Sequence, residues 1–456
     1  MTLFSGYESQ MMALQLAINN NNNLSADLVG WSDINPIVQA VHNTVYPEYA
    51  DRCYSDVTKI RWEDIDDIDI LFASSPCQDV SRLGVRKGME RNSSTRSSLV
   101  WEVEKAIAIK RPKWFIEENV EGMLDSHEDF EELVRSISSY GYVCFFKVLK
   151  GCEYGIPQNR PRMFLVAIRI DEDDRNPVFC WPEPIGLQSQ PEDFLSDTVD
   201  DRYYLTVEET ETYIELIKKA DKGYETICTS EGKNPMQYQS RQFAKRLSRI
   251  VTPLCKNNSI PTLTASGFGG SLESIAGCRK ENQACVIEIW EGNTNLNPAV
   301  TERKPFRRKI KALKKCPDRE RILEVVKSLK DKQYLRIRRL TPEECLRFMG
   351  VEEKHISRMI HPYALLLQDG YSEQQIKKMT LNSIKGQKFS DYALYGRAGN
   401  SIIVNVIAAI FSKVLEYYSK PCLHPSYPKT NDVMTLQDKK RKYWHSCKYP
   451  WLIFVV

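Results

Sequence analysis

The sequence predicts an α/β fold: a doubly wound, mostly parallel sheet followed by a smaller, irregular unit. Three observations carry this. Apolar runs of strand length alternate with amphipathic stretches of helical spacing through the first 170 residues. Polar and ionisable residues gather just after those runs, at the strand ends where such sheets bind ligands. Near Asp171 the alternation stops, and the chain is rich in Pro, Asn and Ser to about Tyr334, with a Gly267-Phe268-Gly269-Gly270 cluster. The expected organisation is therefore 1–170, 171–335, and a segment 336–456 that returns to the first unit. A chain of 456 residues can hold one large domain and a smaller one.

The elements follow in order. Met1 to Gly6 is a short apolar lead into a turn, and Met11 to Ile18 has helical spacing before the asparagine run 19–23. Leu28 to Trp31 reads as a strand, Ile34 to Val45 as a helix, and Arg52 to Tyr54 as a third strand. Asp69 to Ala73 leads to Ser74-Ser75-Pro76-Cys77. Ser98 to Lys110 is helical, Pro112 to Glu117 a strand, Asp129 to Ser139 a helix, and Tyr142–Leu149 and Met163–Ile170 strands. Helical periodicity returns from Thr341 through Met349. Gly396-Arg397-Ala398-Gly399-Asn400-Ser401 is expected to open a helix over 402–417. The apolar end, Trp451 to Val456, is expected to dock as a strand or tail.

Composition narrows the function. A hydrophobic content of 42% is that of a folded globular chain, and no apolar run reaches membrane-spanning length. The formal net charge is only +3, but cations cluster at Arg303–Lys315 and Lys439–Lys442, which suits solvated faces or phosphate contact. Thirteen scattered cysteines without a CxxC pair argue for reduced thiols in a cytoplasm, against a disulfide framework or a zinc site.

The chemistry centres on Cys77. Pro76 fixes its own φ and restricts Ser75, so the thiol sits on a stiff strand end. The cationic, glycine-punctuated stretch beyond it, with Arg82, Arg86, Lys87 and Arg91, reads as a lid over a polyanion. A single cysteine is most often a small core hydrophobe; its neighbours shift that balance. Glu117 and Glu118 are adjacent in a strand, so they face opposite ways, one toward the pocket and the other toward solvent. Arg160 and Arg162 begin another strand and offer permanently charged guanidinium groups. Phe4-Ser5-Gly6-Tyr7-Glu8 is a strand-to-helix turn whose amides can face a carboxylate, while Asp33 and Asp56 follow the next strands and suit a ribose and an exocyclic amine. A lone Asp at such a place is more often a helix cap.

A thiol, an acid and a guanidinium around one pocket suit addition to C6 of a pyrimidine, with the acid serving N3 and the guanidinium O2. A free thiol of pKa ~8.5 is mostly protonated at neutral pH, and the nearby cations are expected to raise its thiolate fraction. Burial is expected to keep the glutamic acid partly protonated with the base bound.

These motifs, in this order, resemble the DNA cytosine-5 methyltransferase family. The resemblance covers the first 170 residues and about the last 120. It rests on Phe4-Ser5-Gly6, Pro76-Cys77-Gln78, Glu118-Asn119-Val120, Gln158-Asn159-Arg160-Pro161-Arg162, Arg339 through Gly350, and Gly399-Asn400-Ser401. It implies a Rossmann-like class I methyltransferase fold and S-adenosylmethionine as methyl donor. It implies Cys77, Glu118, Arg160 and Arg162 as catalytic residues. It places Phe4, Ser5, Gly6, Tyr7, Glu8, Asp33, Ile34, Asp56, Val57, Ser75, Pro76, Leu99, Asn400 and Ser401 at the cofactor. It places Gln78, Ser81, Arg82, Arg86, Lys87, Arg91, Thr262, Thr264, Gly269 and Gly270 on duplex DNA, with 171–335 as target recognition domain and the cytosine flipped out of the stack. The implied state is a monomer in the cytoplasm of a bacterial or phage-infected cell, with a cognate restriction endonuclease as a candidate partner.

The sequence also departs from the family's pattern. Glu8 stands where a second glycine is common, implying a differently lined amide cradle; Asp33 replaces a glutamate and Val80 a phenylalanine. The chain begins almost inside the first strand, so that strand is expected to be short or the start of the chain to be late. Two rival readings are a related RNA (tRNA) cytosine-5 methyltransferase, whose Cys-Phe-Thr signature is absent, and a non-catalytic DNA-binding protein, which predicts loss of Cys77, Glu118 or Arg162.

Overall fold

The structure, a computed structural model, describes residues 1–19, 24–80, 88–91, 93, 95–170, 177–205, 210, 245–252, 258–264, 284–291, 319–330, 333–384, 387–419 and 453–454. The first unit builds β1 (Thr2–Leu3), α1 (Ser9–Ile18), β2 (Trp31–Ser32), α2 (Pro36–Val45), β3 (Ile70–Ala73), α3 (Val100–Lys110), β4 (Trp114–Asn119), α4 (His127–Ser139), β5 (Tyr142–Lys150), β6 (Gln158–Asn159) and β7 (Pro161–Arg169). β8 (Lys245–Thr252), β9 (Ile260–Pro261), β10 (Cys285–Glu291), α5 (Arg319–Ser328) and β11 (Gln333–Arg339) follow. The chain closes with α6 (Pro342–Arg347), α7 (Glu353–Ile360), α8 (Pro362–Gln368), α9 (Glu373–Met379), α10 (Asp391–Asn400), α11 (Val404–Ser419) and β12 (Ile453–Phe454).

The central sheet has the order β12-β5-β7-β4-β3-β1-β2. β1, β2, β3 and β4 pair in parallel. β7 enters antiparallel between β4 and β5, so β5 runs with the parallel set and β7 against it. The docked C-terminal strand is borne out: Ile453 and Phe454 pair antiparallel with Phe145 and Cys144.

Residue alternation explains why both faces are covered. Phe72, Trp114, Ile116, Phe164 and Val166 pack on one face with α1, α2 and α11. Leu71, Phe115, Met163 and Leu165 pack on the other with α3 and α4. This is period two read out on a sheet buried on both sides. Each fully buried aliphatic or aromatic side chain contributes roughly 1.5–3 kcal/mol relative to exposure.

Several expectations change. Arg52–Tyr54 is not a strand: Pro47–Arg52 forms a 3-10 turn, and only Cys53 makes a single bridge to Trp31. Gly396–Asn400 closes α10 rather than opening a helix, and α11 begins at Val404. The irregular unit contains a three-stranded antiparallel sheet, β11-β10-β8, whose last strand runs to Arg339, past the expected boundary at 335. At the other boundary, Phe179 and Trp181 belong to the first unit's core, with Phe179 edge-on to Trp114.

A buried ion network joins the second sheet to α6. Arg338 of β11 is fully buried between Glu288 of β10 (3.1 Å) and Glu344 of α6 (2.8 Å). Glu344 also accepts from the Thr341 and Ser196 amides, and Glu288 from the Tyr204 hydroxyl and the Trp290 indole.

Candidate active site

The segment carrying Cys77 is clamped from below by β4. Glu117 Oε1 accepts from Ser75 N at 3.0 Å and from Ser75 Oγ at 2.5 Å. Asn119 Nδ2 donates to Ser75 O at 3.1 Å and to Ser75 Oγ at 3.0 Å. With Pro76 following, the backbone entering the half-buried thiol has little freedom.

Glu118, on the opposite face of β4, meets Arg162. Their Nε–Oε1 distance is 3.1 Å, and Ser74 Oγ donates to the other carboxylate oxygen at 2.5 Å. The register explains the contact. Glu118 lies opposite Phe164 on β7, so Arg162 is its diagonal neighbour on the same face. The charges acting on Cys77 are Glu118, Arg162 and Arg160, so thiol, acid and guanidinium share one rim of the sheet.

Three expectations about these groups are corrected. Cys77 is not activated by its cations in this state: burial pushes its pKa up, Glu118 pushes it further, and Arg162 and Arg160 only oppose this. Glu117 does not stay solvated; it is fully buried, and burial pushes its carboxyl up to about 7. Arg160 does not present its guanidinium to a substrate. It donates to Leu263 O (2.7 Å), Gly399 O (2.8 Å) and Ser401 O (2.6 Å), and burial, with Arg162, pulls its pKa down to about 9. It is a bracket joining three chain-distant segments.

The neighbouring strand ends form a second pocket. Phe4, Gly6 and Glu8 all take left-handed conformations between β1 and α1, at φ 56°, 60° and 71°. Ser5 Oγ pairs with both Ser32 N and Ser32 O, fixing this loop to the end of β2. Gly6 N donates to Asp33 Oδ2 at 3.3 Å, and the space that a Cβ on Gly6 would enter is open. Asp33 also accepts from Asn35 N at 2.9 Å, and burial pushes its carboxyl pKa up. Ile34 beside it is 72% exposed, an apolar surface suited to a flat ring. Ser401 Oγ lies 3.3 Å from Ser9 Oγ on α1, which brings exposed Asn400 to the same loop. Leu99 sits in the turn before α3 and packs partly on the core, and Tyr7 is buried.

Two cofactor candidates lie differently than expected. Glu8 turns inward, accepting from Thr2 Oγ1 at 2.9 Å and facing His42 Nε2 at 3.2 Å, so its side chain lies under the loop and not in the cradle. Asp56 caps the turn Val57–Lys59. The Thr58 hydroxyl, at 2.7 Å, leads the contacts that hold its carboxyl below the usual range, and Val57 is buried. The open glycine, the half-buried Asp33 carboxylate and the exposed isoleucine fit a nucleoside with a charged tail.

On the outer side, Gln78 is exposed and accepts from Arg96 at 3.0 Å. Ser81, Arg82, Arg86 and Lys87 lie outside the described residues, as do Gly269 and Gly270, and with them the lid. Arg91 is not a free cation: it pairs with Glu104 (3.3 Å) and Glu132 (3.1 Å) and lies 3.9 Å over the Trp101 ring. Thr262 Oγ1 donates to Asn159 O, Leu263 N to Gln158 Oε1, and half-buried Thr264 follows. Arg397 on α10 was not singled out by any motif. Ser74 and Glu117 were hidden because only the strand register shows what they touch.

A family model described as C-5 cytosine-specific DNA methylase matches residues 1–416. The chain belongs to this family. Relatives of the methylase include the orphan methyltransferase M.SPRI of Bacillus phage SPR, 23% identical over 92% of this chain and 97% of the relative. The type II methyltransferase M.Bsp6I of Bacillus sp. (strain RFL6) is 33% identical over 47% of this chain and 63% of the relative. Among solved structures, S. pombe Dnmt2 methyltransferase superposes with a TM-score of 0.52 at 17% identity, covering 92% of this chain and 98% of that one. Entamoeba histolytica methyltransferase EhMeth gives 0.53 at 16% identity over the same share of each chain. At these identities the structural likeness shows the fold: the methylase has the class I methyltransferase architecture, and the family's methyl donor is S-adenosylmethionine.

Proposed function

We propose that this methylase transfers a methyl group to C5 of a cytosine flipped out of a specific duplex DNA sequence, in the cytoplasm of a bacterial or phage-infected cell, acting as a monomer. The observation that carries the reading is the Glu118–Arg162 pair acting on Cys77. In it, Cys77 Sγ bonds to C6 of the ring. The thiol's proton passes to the Glu118 carboxylate, which hands it on to N3, and Arg162 holds O2 as electron density moves into the ring. Bound S-adenosylmethionine supplies the methyl as an electrophilic carbon on sulfonium. Loss of the C5 proton to a base then expels the thiolate, and return of the N3 proton to Glu118 restores the neutral ring. Gly6, Asp33, Ile34, Asn400 and Ser401 would hold the donor. Arg160 acts as a positioning residue. The unit containing β8, β10 and β11 would read the target bases, with Gln78 and Thr262 near the flipped nucleotide.

The test is transfer of labelled methyl groups to duplex DNA and to tRNA, with bisulfite sequencing of DNA from an expressing host. Duplex DNA is expected to accept label at one sequence context and tRNA to accept none. Cys77→Ser is expected to lose transfer by more than about a thousandfold while still binding duplex. Full activity in Cys77→Ser would overturn the nucleophile assignment.

A further inference from the structure

The pocket formed by the β1–α1 loop, Asp33 and the end of α10 contains a cation with nothing to hold. Arg397 lies three residues before Asn400 on α10. Its Nε is buried without a hydrogen-bond partner, and it makes no ion pair or hydrogen bond among the described residues. Its charge is felt by Asp33 and by Tyr7 of the loop, so it lies near both. Other arginines at this rim are occupied: Arg162 by Glu118, Arg160 by three carbonyls, Arg96 by Gln78. Arg397 is half-buried as a whole, but a buried guanidinium nitrogen with no acceptor is costly, and buried polar groups are nearly always satisfied. Such a group fits a site whose anion arrives with the ligand.

The open space in front of Gly6 and the Ser9–Ser401 contact put this cation beside the loop, while Asp33 marks the ribose side. The methyl donor carries one carboxylate, at the end of its tail remote from the adenine. We propose that Arg397 binds the α-carboxylate of S-adenosylmethionine and so makes the pocket selective for ligands with an intact amino-acid tail. The proposal rests on reading this rim as the donor site.

The experiment measures equilibrium binding of S-adenosylmethionine, its decarboxylated form and 5′-methylthioadenosine to the full chain without DNA. Wild type is expected to prefer S-adenosylmethionine over the decarboxylated form by at least about tenfold, as for a charge-assisted contact. Arg397→Gln is expected to weaken S-adenosylmethionine about ten- to a hundredfold. It should leave the tail-less nucleoside within about twofold and the decarboxylated form unchanged or tighter, and Arg397→Lys should recover part of the loss. Equal weakening of all three ligands, or no change, would overturn the proposal. Asp33→Ala separates the two readings: weakened binding of all three ligands supports the donor site itself, and unaltered binding removes that reading instead. Should Arg397→Gln not fold, the wild-type preference decides, and its absence overturns the proposal.

Discussion

The Cys77 thiol is governed by two opposed neighbours a strand apart. Burial and Glu118 keep it protonated, and Arg162 pulls the other way. A thiol held neutral in this way is shielded from oxidation and alkylation, since the thiolate is the reactive form. Glu118→Gln removes the carboxylate charge, so alkylation of Cys77 by iodoacetamide at pH 8, followed on its own peptide by mass spectrometry, is expected to quicken several-fold. Arg162→Gln is expected to slow it. That Cys77, Glu118 and Arg162 would come together was legible from short motifs, because each motif follows or opens an apolar run of strand length. The direction of the thiol's pKa was not legible, because it depends on desolvation and on which charge lies nearer. Arg160 shows the same limit. Its spacing from Arg162 matched the motif, yet its partners are carbonyls about 100 and 240 residues away.

At the scale of elements, β3 and β4 are tied by a buried carboxylate as well as by their ladder. Glu117 holds Ser75, and its pKa near 7 lies above the ordinary carboxyl value of 4.5. The folded state therefore binds this proton more tightly than the unfolded chain. Stability from this group is complete below pH ~4.5 and is lost as pH rises to about 7, a change of about 3 kcal/mol. Glu117→Gln, a neutral isostere, is expected to remove that slope, so the variant's melting temperature gains on wild type between pH 5 and 7.5. Parallel curves would discard the idea. Most strands were readable from apolar runs, but the antiparallel insertion of β7 was not, since direction and order are set by non-local pairing. The strand expected at Arg52–Tyr54 failed because Pro47 starts a tight turn that leaves one residue in extended pairing.

At the scale of the whole molecule, the second sheet is joined to α6 through charge. Arg338 satisfies Glu288 and Glu344 where no water reaches. Removing it leaves two buried carboxylates unpaired, a cost of about 3–5 kcal/mol. Arg338→Met is expected to lower the urea midpoint reported by Trp290 fluorescence, and adding Glu288→Gln is expected to recover part of the loss. An unshifted midpoint would show that the network is dispensable. Among the described residues no single helix is long and apolar enough to cross a membrane, and every described cysteine is a free thiol.

The contact between Ser401 and Ser9 has a consequence in time. A ribosome making this chain releases Cys77, Glu118 and the first strands long before α10 emerges. The wall that α10 adds to the proposed donor pocket is missing from every shorter nascent product. Half-made polypeptides thus hold Cys77 and Glu118 without the segment that closes the β1–α1 loop, and on the proposed reading only the finished chain loads the methyl donor.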